Sequence, residues 1–185
     1  MKKPCLVIFV LILSVVAVPI LSTGDDQGIL EVRVKDHREA IGDFTKLILT
    51  FDAILVSPRP GLKFWQTQWT SLAPAIPSLD LTKYVEKQSA SVFRGPIPAG
   101  SFDAIHLKIK SVAASLKKNL RSTNIKNRIG PIKLAFETRP RGDTLIVLDL
   151  VVLDMSDHPP AGYELNLKGY ELYTNGKLVE RVPPG

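Results

Sequence analysis

The chain has 185 residues, with 24 Lys and Arg against 18 Asp and Glu, which gives a formal net charge of +6. This length suits one domain with a sizeable hydrophobic core. A single cysteine excludes a disulfide framework and any zinc site built on several thiolates.

The N-terminus has the pattern of a signal peptide. A basic head at residues 1–3 precedes an apolar run over 5–21, and Ser22, Thr23 and Gly24 supply small residues for cleavage. We predict a signal peptide over 1–24, a single domain over 25–185, a secreted or cell-envelope location, and no stable membrane span after cleavage. An uncleaved anchor is the alternative, because the apolar run is at the short end of what spans a bilayer. Cys5 precedes the run, which argues against a lipoprotein attachment site.

Two strands open the predicted domain. Residues 28–35 alternate apolar and charged side chains after Leu30, which is typical of a strand with one solvated face. Residues 46–56 predict a second strand whose inner face would carry Leu47, Leu49, Phe51, Ala53 and Leu55. A turn follows at 57–61, where Pro and Gly are concentrated.

The two tryptophans fall in a short predicted strand over 64–69. On a strand, Trp65 and Trp69 would lie on one face about 13 Å apart, a spacing that could stack sugar rings. The alternative is that one tryptophan packs in the core and the other shields a loop. Residues 79–81 predict a further short strand, and 82–92 is the one stretch that could form a short helix.

The next segment is strongly basic. Residues 101–112 predict a half-exposed strand with His106, Lys108 and Lys110 on its outer face. Residues 117–128 are polar and predict a long loop or an edge ribbon, and 132–137 predicts another strand. From 108 to 141 there are ten cations and one acid, whereas both flanks of this segment are mildly acidic.

The most apolar part of the predicted domain is residues 144–153. Eight of the nine residues from Leu145 to Leu153 are apolar, which predicts a strand buried on both faces at the centre of the core. Asp149 is the exception, and a buried acid must find a partner, reach an edge or be protonated. We expect it to serve the fold.

Strands over 163–167 and 170–174 follow, and Asn175-Gly176 predicts a tight hairpin turn into 178–182. Eight or nine short strands with little helix predict an all-β fold: a single antiparallel β-sandwich with Greek-key connections, of the immunoglobulin or transthyretin type.

Several of these stretches recur in the same order in a known family. They are residues 28–36, 69–72, 79–81, 97–107 and 148–150, and the most distinctive is the turn Pro98-Ala99-Gly100 entering a strand through Phe102. The chain resembles the secreted bacterial and archaeal domain of unknown function 4382 over roughly residues 28–170. This resemblance implies an exported β-sandwich and supplies no catalytic residues.

No motif for catalysis or cofactor binding is present in the sequence. His37, His106 and His158 are scattered, and the nucleophile-elbow, phosphate-loop and dinucleotide motifs are missing. A carboxylate pair for glycoside hydrolysis could only be assembled in space, from Asp36, Asp52, Asp149 or Asp154. Asp154 and Asp157 lack the spacing of a calcium loop. We therefore expect no enzyme activity, no catalytic residue, no metal and no cofactor.

The basic segment is the best candidate for a functional surface. It could attract an anionic polysaccharide or another envelope polymer through seven cations: Lys108, Lys110, Lys117, Lys118, Arg121, Lys126 and Arg128. Nucleic acid is not expected, because no aromatic residue lies between Lys108 and Ala135 to stack bases. The alternative is a solvated loop whose cations only keep a strand edge from pairing with other chains.

Three classes of function remain open. The favoured one is an exported, non-catalytic binding or adhesion module. An accessory domain of a polysaccharide-active enzyme would need exposed tryptophans, and a structural envelope or filament subunit would need an exposed strand edge. The sequence does not indicate an oligomeric state.

Overall fold

The computed structural model describes residues 26–59, 69–157 and 162–183. Within these ranges the chain forms β-strands and two short 3-10 turns, Ala40–Asp43 and Leu81–Lys83, and it has no α-helix. The strands are β1 (Gln27–Asp36), β2 (Phe44–Pro58), β3 (Thr70–Leu72), β4 (Ser78–Asp80), β5 (Ala90–Pro98), β6 (Gly100–Leu116), β7 (Ser122–Thr123), β8 (Ile125–Asn127), β9 (Ile132–Thr138), β10 (Asp143–Asp154), β11 (Tyr163–Thr174) and β12 (Lys177–Val182).

The strands form two sheets, which confirms the all-β prediction. The first sheet has the order β12-β11-β10-β1-β5 with β8 also on β11, and the second has the order β3-β2-β6-β7 with β4 on β2 and β9 on β6. The prediction of a purely antiparallel sandwich is wrong, because β1 pairs with β10 in parallel and β8 pairs with β11 in parallel. The first sheet is therefore mixed, and it is strongly curled. A parallel pair needs a long crossover, and everything from β2 to β9 supplies it.

Strand β10 is the central core strand that the sequence predicts. Leu148, Leu150 and Val152 are fully buried on the face that packs against the second sheet. On the opposite face Val147 and Val151 are also buried, so the strand is covered on both sides. Truncating a fully buried leucine such as Leu148 to alanine should cost about 2–5 kcal/mol.

The inner face of β2 differs from the prediction in its second half. Leu47, Leu49 and Phe51 are buried as expected, but beyond them the inward residues are Ile54 and Val56 instead of Ala53 and Leu55. The pairing between β2 and β6 shifts on both sides of Phe51. Such a bulge inserts one residue, so every later side chain moves to the other face.

The predicted helix over 82–92 is wrong. The chain makes only the 3-10 turn that ends at Lys83, which Asp80 caps by accepting the backbone N–H of Thr82, and it enters β5 at Ala90. Strand β5 lies at the edge of the first sheet, where Pro96 and Pro98 can be accommodated because an edge strand leaves half of its N–H groups unpaired. The sequence analysis did not predict this strand, because prolines are uncommon within strands.

Other local predictions are confirmed. Strands β6 and β9 contain the predicted stretches, and β11 joins the two short strands predicted at 163–167 and 170–174 into one. Asn175 and Gly176 both have positive φ, 49° and 74°, as the tight turn between β11 and β12 requires. The predicted signal peptide and residues 64–68 of the predicted tryptophan strand lie outside the described residues.

Asp36 is an acid buried at the end of β1. It is 0% exposed, and its Oδ1 accepts the backbone N–H of Arg38 at 2.7 Å, which closes a turn in which Arg38 has a φ of 72°. Its Oδ2 has no hydrogen-bond partner in the described part of the chain. Burial, aided by the nearby charge of Asp149, raises the pKa of Asp36 to about 6.

Only one oxygen of the buried Asp149 has charged partners, whereas its Oδ1 has no hydrogen-bond partner in the described part of the chain. The residue is 8% exposed, and its Oδ2 lies 3.3 Å from His37 Nδ1 and 3.6 Å from Lys35 Nζ. The parallel register places Lys35 directly beside Asp149 on the outer face of the first sheet. Lys35 Nζ also lies 3.4 Å from Glu171 Oε1, so two carboxylates share one largely buried ammonium group.

The raised pKa of Asp36 predicts that this residue weakens the fold as the pH rises. The folded state holds the proton up to about pH 6, whereas the unfolded chain releases it near pH 4. The contribution of Asp36 to stability is therefore complete below pH 4 and lost as the pH rises to 6, by about 3 kcal/mol at most. As the pH rises from 4 to 6, the free energy of unfolding of Asp36→Asn should increase relative to that of the wild type. Urea unfolding at pH 4, 5, 6 and 7 measures the difference.

Asp26→Asn, which removes an exposed acid, is the matched control and should show no such trend. A constant difference between Asp36→Asn and the wild type across this pH range would contradict the assignment.

The shared ammonium predicts coupling between Asp149 and Glu171. Asp149→Asn or Glu171→Gln alone should cost about 1 kcal/mol, because Lys35 keeps one carboxylate. The double variant should cost more than the sum by about 1 kcal/mol or more, because Lys35 is then buried without a counter-charge. A double-mutant cycle measured by urea unfolding gives the coupling, and simple additivity would show that the two carboxylates act independently.

Candidate functional site

The seven cations singled out by the sequence, which we call the basic strip, are all exposed. They are Lys108, Lys110, Lys117, Lys118, Arg121, Lys126 and Arg128. Lys108 and Lys110 lie on the outer face of β6, because Ile105 and Leu107 point into the core and β6 alternates. Their position confirms the predicted orientation of this strand.

The chain that follows β6 returns past this strand and brings Lys126 and Arg128 near it. Strand β7 pairs Ala114 with Thr123, and β9 pairs Ile105 with Ile132, in one and the same antiparallel register. Between these paired residues the chain leaves β6, and β8 pairs with β11 of the first sheet while still contacting β6. Lys126, in β8, therefore lies near β6, and Arg128 precedes Ile129, whose backbone hydrogen-bonds to His106 of β6.

The remaining three cations surround the turn between β6 and β7. Lys117, Lys118 and Arg121 lie in residues 117–121, which we call the tip. Two backbone hydrogen bonds close the tip, from Leu120 N–H to the Leu116 carbonyl at 2.9 Å and from Leu116 N–H to the Arg121 carbonyl at 3.0 Å. From Lys108 to the end of β6 at Leu116 the strip is about 26 Å long at about 3.3 Å per residue.

Two members of the strip already hold a carboxylate. Lys108 Nζ lies 2.7 Å from Asp52 Oδ2, and Arg128 Nη2 lies 2.7 Å from Glu164 Oε1. Hydrogen bonds from Lys108 and Arg128 lower the pKa of Asp52 and of Glu164. In residues 26–59, 69–157 and 162–183 no ion pair is found for the other five: Lys110, Lys117, Lys118, Arg121 and Lys126.

One of the two tryptophans is placed beside the strip. Trp69 is 38% exposed, and its ring packs edge-on against His106, with centroids 6.5 Å apart. His106 also hydrogen-bonds to the Ile129 backbone, and burial lowers the pKa of its imidazole. Because His106 precedes Lys108 on the same face of β6, Trp69 stands at one end of the strip. Trp65 lies outside the described residues.

The structure also shows a charged groove that the sequence did not predict. It lies on the outer face of the first sheet, has a volume of about 450 Å³, and is lined by Lys35, His37, Glu86, Lys87, Asp149, Glu171 and Arg181. Glu171 is central to it: Lys35, Arg181 and the Tyr173 hydroxyl all bind this carboxylate, and together their contacts lower its pKa despite burial. These side chains come from β1, β10, β11, β12 and the loops that carry His37, Glu86 and Lys87, so no local sequence signal could have found the groove.

The other acids considered from the sequence have the following positions. Asp36 and Asp149 interact electrostatically, but Asp36 is sealed from solvent. Asp154 closes a turn by accepting the backbone N–H and the hydroxyl of Ser156. Among the described residues there is no group of three or more His, Cys, Asp or Glu side chains that could hold a metal ion.

A search for membrane spans in residues 26–59, 69–157 and 162–183 finds no helix that is long and apolar enough to cross a bilayer.

Comparison with known proteins gives one match. No curated protein and no solved structure matches the chain. The family model described as Domain of unknown function (DUF4382) matches residues 27–166, from the start of β1 into β11, and the whole basic strip falls within this range. The chain therefore belongs to the DUF4382 family.

Proposed function

We propose that this protein is an exported, non-catalytic binding module of the cell envelope or extracellular space, and that it binds a linear anionic polysaccharide along the basic strip. The observation that carries the proposal is the contact of β8 with β6, which brings cations from two segments of the chain near one another. A flexible basic loop would not hold such an arrangement.

The charge of the strip supports an anionic partner. Lys108 and Arg128 are neutralised by Asp52 and Glu164, whereas five exposed cations lack an ion pair among the described residues. Their field adds over about 26 Å of β6 and the tip beyond it, the span of several sugar residues, and binding would release the counterions of the polymer. A small anion would need a compact pocket, whereas the strip is an open surface that suits an extended polymer.

Trp69 favours a polysaccharide among the anionic polymers. The exposed indole packs against His106, two residues before Lys108 on β6, and it could stack a sugar ring while cations of the strip bind carboxylates or sulfates of the same polymer. Nucleic acid fits less well, because the remainder of the strip has no aromatic side chain on which successive bases could stack.

A structural subunit that grows by strand addition is the less favoured alternative. Strand β12 is exposed along its whole length, but a register shift against β11 leaves Val179 unpaired, and Pro183 follows directly. Bulges and prolines both oppose edge pairing. A role as accessory domain of a polysaccharide-active enzyme would use the same strip and remains a second proposal.

Export is also part of the proposal. The basic head, the apolar run and the small residues of 1–24 support a cleaved signal peptide, and the resulting secreted or envelope location would present the strip to envelope polymers. The two packed sheets support a relationship to the immunoglobulin- and transthyretin-like Greek-key sandwiches, with the mixed first sheet as a departure.

Removing the unpaired cations in the middle of the strip should weaken polysaccharide binding. The double variant Lys110→Gln with Lys126→Gln loses two contacts of about 0.5 kcal/mol each, so heparin affinity should fall about fivefold and depend less steeply on salt. Calorimetric or surface-binding titrations with heparin at several salt concentrations measure the change. The matched control is Lys87→Gln with Lys177→Gln, which removes the same charge from exposed positions outside the strip. Equal affinities of the two double variants would contradict a specific strip.

Trp69→Ala should separate sugar recognition from charge alone. Loss of stacking should weaken binding to heparin about tenfold and leave binding to inorganic polyphosphate unchanged, because only the former offers sugar rings. The same titrations with the two polymers provide the comparison. An equal loss for both polymers would mean that Trp69 serves the fold or the general charge of the surface.

Cleavage of the signal peptide should leave a mature protein that begins at or near Asp25. Mass spectrometry of the exported fraction from cells that express the full chain should find this N-terminus. An intact segment over 1–21 in the membrane fraction would show that the apolar run is kept as an anchor.

A further inference from the structure

Leu120, at the tip, is the most unusual apolar side chain on the described surface. It is 73% exposed, the highest value among the large apolar residues exposed there, which are Trp69, Leu120, Leu178, Val179 and Val182. Its φ is 55°, and it is the one apolar residue with positive φ apart from glycine in the described ranges. A bulky side chain in this conformation is strained, and its exposure to water adds a second cost.

The hydrogen bonds of the tip explain its geometry but not the choice of leucine. Leu120 N–H donates to the Leu116 carbonyl, and Arg121 N–H donates to Asn119 Oδ1 at 3.0 Å. These bonds require a left-handed residue at position 120, where glycine or asparagine would be unstrained. No packing contact compensates, because the leucine points into solvent and lies outside the hydrophobic core.

Cations surround this leucine. Lys117, Lys118 and Arg121 are exposed within three residues of it, and the described part of the chain provides no ion pair for them. An apolar side chain that projects between unneutralised cations matches the interface of an anionic bilayer, where lipid headgroups meet the cations and the leucine enters the acyl boundary. A polysaccharide would meet only the charges and would leave the leucine in water.

We propose that the tip docks on an anionic lipid surface, with Leu120 inserted between the headgroups. The docking residues are Lys117, Lys118, Leu120 and Arg121. Three of these residues, Lys117, Lys118 and Arg121, also belong to the basic strip, so a polymer bound at the same time would use Trp69, Lys108 and Lys110, which lie about 20 Å or more back along β6. The protein can therefore hold a polymer along β6 while its tip contacts a bilayer.

The described chain enters the fold at the opposite end of β6, where Ala99 N–H donates to the Asp26 carbonyl at 2.8 Å. Across the seventeen residues of β6, this entry point lies about 50 Å from the tip. The docking is thus a property of the mature protein, and it does not require the N-terminal segment to sit in the same bilayer.

Vesicle binding by Leu120→Asn tests the proposal. Asparagine adopts left-handed backbone more readily than leucine, so the variant should fold at least as well, which thermal unfolding checks. The protein, recovered from cells that express the full chain, is sedimented with vesicles of phosphatidylcholine alone and of phosphatidylcholine with about one third phosphatidylglycerol. We expect the wild type to bind only the anionic vesicles and Leu120→Asn to bind them about tenfold more weakly.

Two control variants show whether the loss of vesicle binding is specific to the tip. Val179→Ser removes an apolar side chain that is 62% exposed but distant from the tip, and it should leave vesicle binding unchanged. Lys117→Gln with Lys118→Gln should weaken vesicle binding about fivefold per lysine. If Leu120→Asn binds anionic vesicles as tightly as the wild type, the contact is electrostatic only and the insertion is overturned.

Heparin titrations on the same variants separate this proposal from polysaccharide binding. Leu120→Asn should keep full heparin affinity while losing vesicle affinity. If Leu120→Asn loses affinity for heparin as well as for vesicles, the membrane assignment is overturned, because the leucine would then affect the whole basic strip. A wild-type protein that binds anionic vesicles but not heparin would leave the tip proposal standing and refute the polysaccharide proposal.

A fluorescent label reports insertion directly. In a Cys5→Ser background, Leu120→Cys and Val179→Cys each carry one environment-sensitive fluorophore. The emission of the label at position 120 should shift to the blue on addition of anionic vesicles, and the label at 179 should not shift. Equal behaviour of the two labels would overturn the insertion of Leu120.

Discussion

The fold depends on the parallel pairing of β1 with β10. Because these strands run in the same direction, the chain between them has to return to its starting end, and it builds the whole second sheet on the way. The same pairing places Lys35 beside Asp149, so the one acid in the most apolar strand meets a cation from a distant part of the chain. The parallel pairing of β1 with β10 thus accounts both for the central strand that is buried on both faces and for the charged groove on the outer face of the first sheet.

Strand β6 organises the functional surface in a similar way. It is the longest strand described, it pairs with β2 along one edge, and it is flanked on the other edge by β7 and β9. Between those two strands, β8 leaves the second sheet and pairs with β11 of the first. The excursion ties the sheets together at this edge, and it leaves Lys126 near β6. Stability and a binding surface are therefore provided by the same backbone arrangement.

Two costly features stand out because the structure compensates them unequally. Asp149 is buried, and Lys35 and His37 bind its Oδ2, which offsets part of the cost of its charge, whereas its Oδ1 has no partner among the described residues. Leu120 is exposed and strained, and no contact in the described structure offsets it. Uncompensated strain at a surface position is a better indicator of an external partner than a buried charge with internal partners. This difference is why we assign Asp149 to the fold and Leu120 to a contact outside the molecule.

The sequence alone determined the structural features that depend on residues close together along the chain. The apolar run of β10, the alternation of β6, the Asn175-Gly176 turn and the basic character of the segment after Lys108 follow from local pattern and composition, and the structure has each of them. Tertiary pairing decided the rest. Strand β5 exists because its partner β1 offers an edge where two prolines fit, and the inner face of β2 changes where β6 forces a bulge at Phe51. The partners of Asp149 and the position of Trp69 against His106 join residues far apart in the chain, and only the folded register brings such residues together.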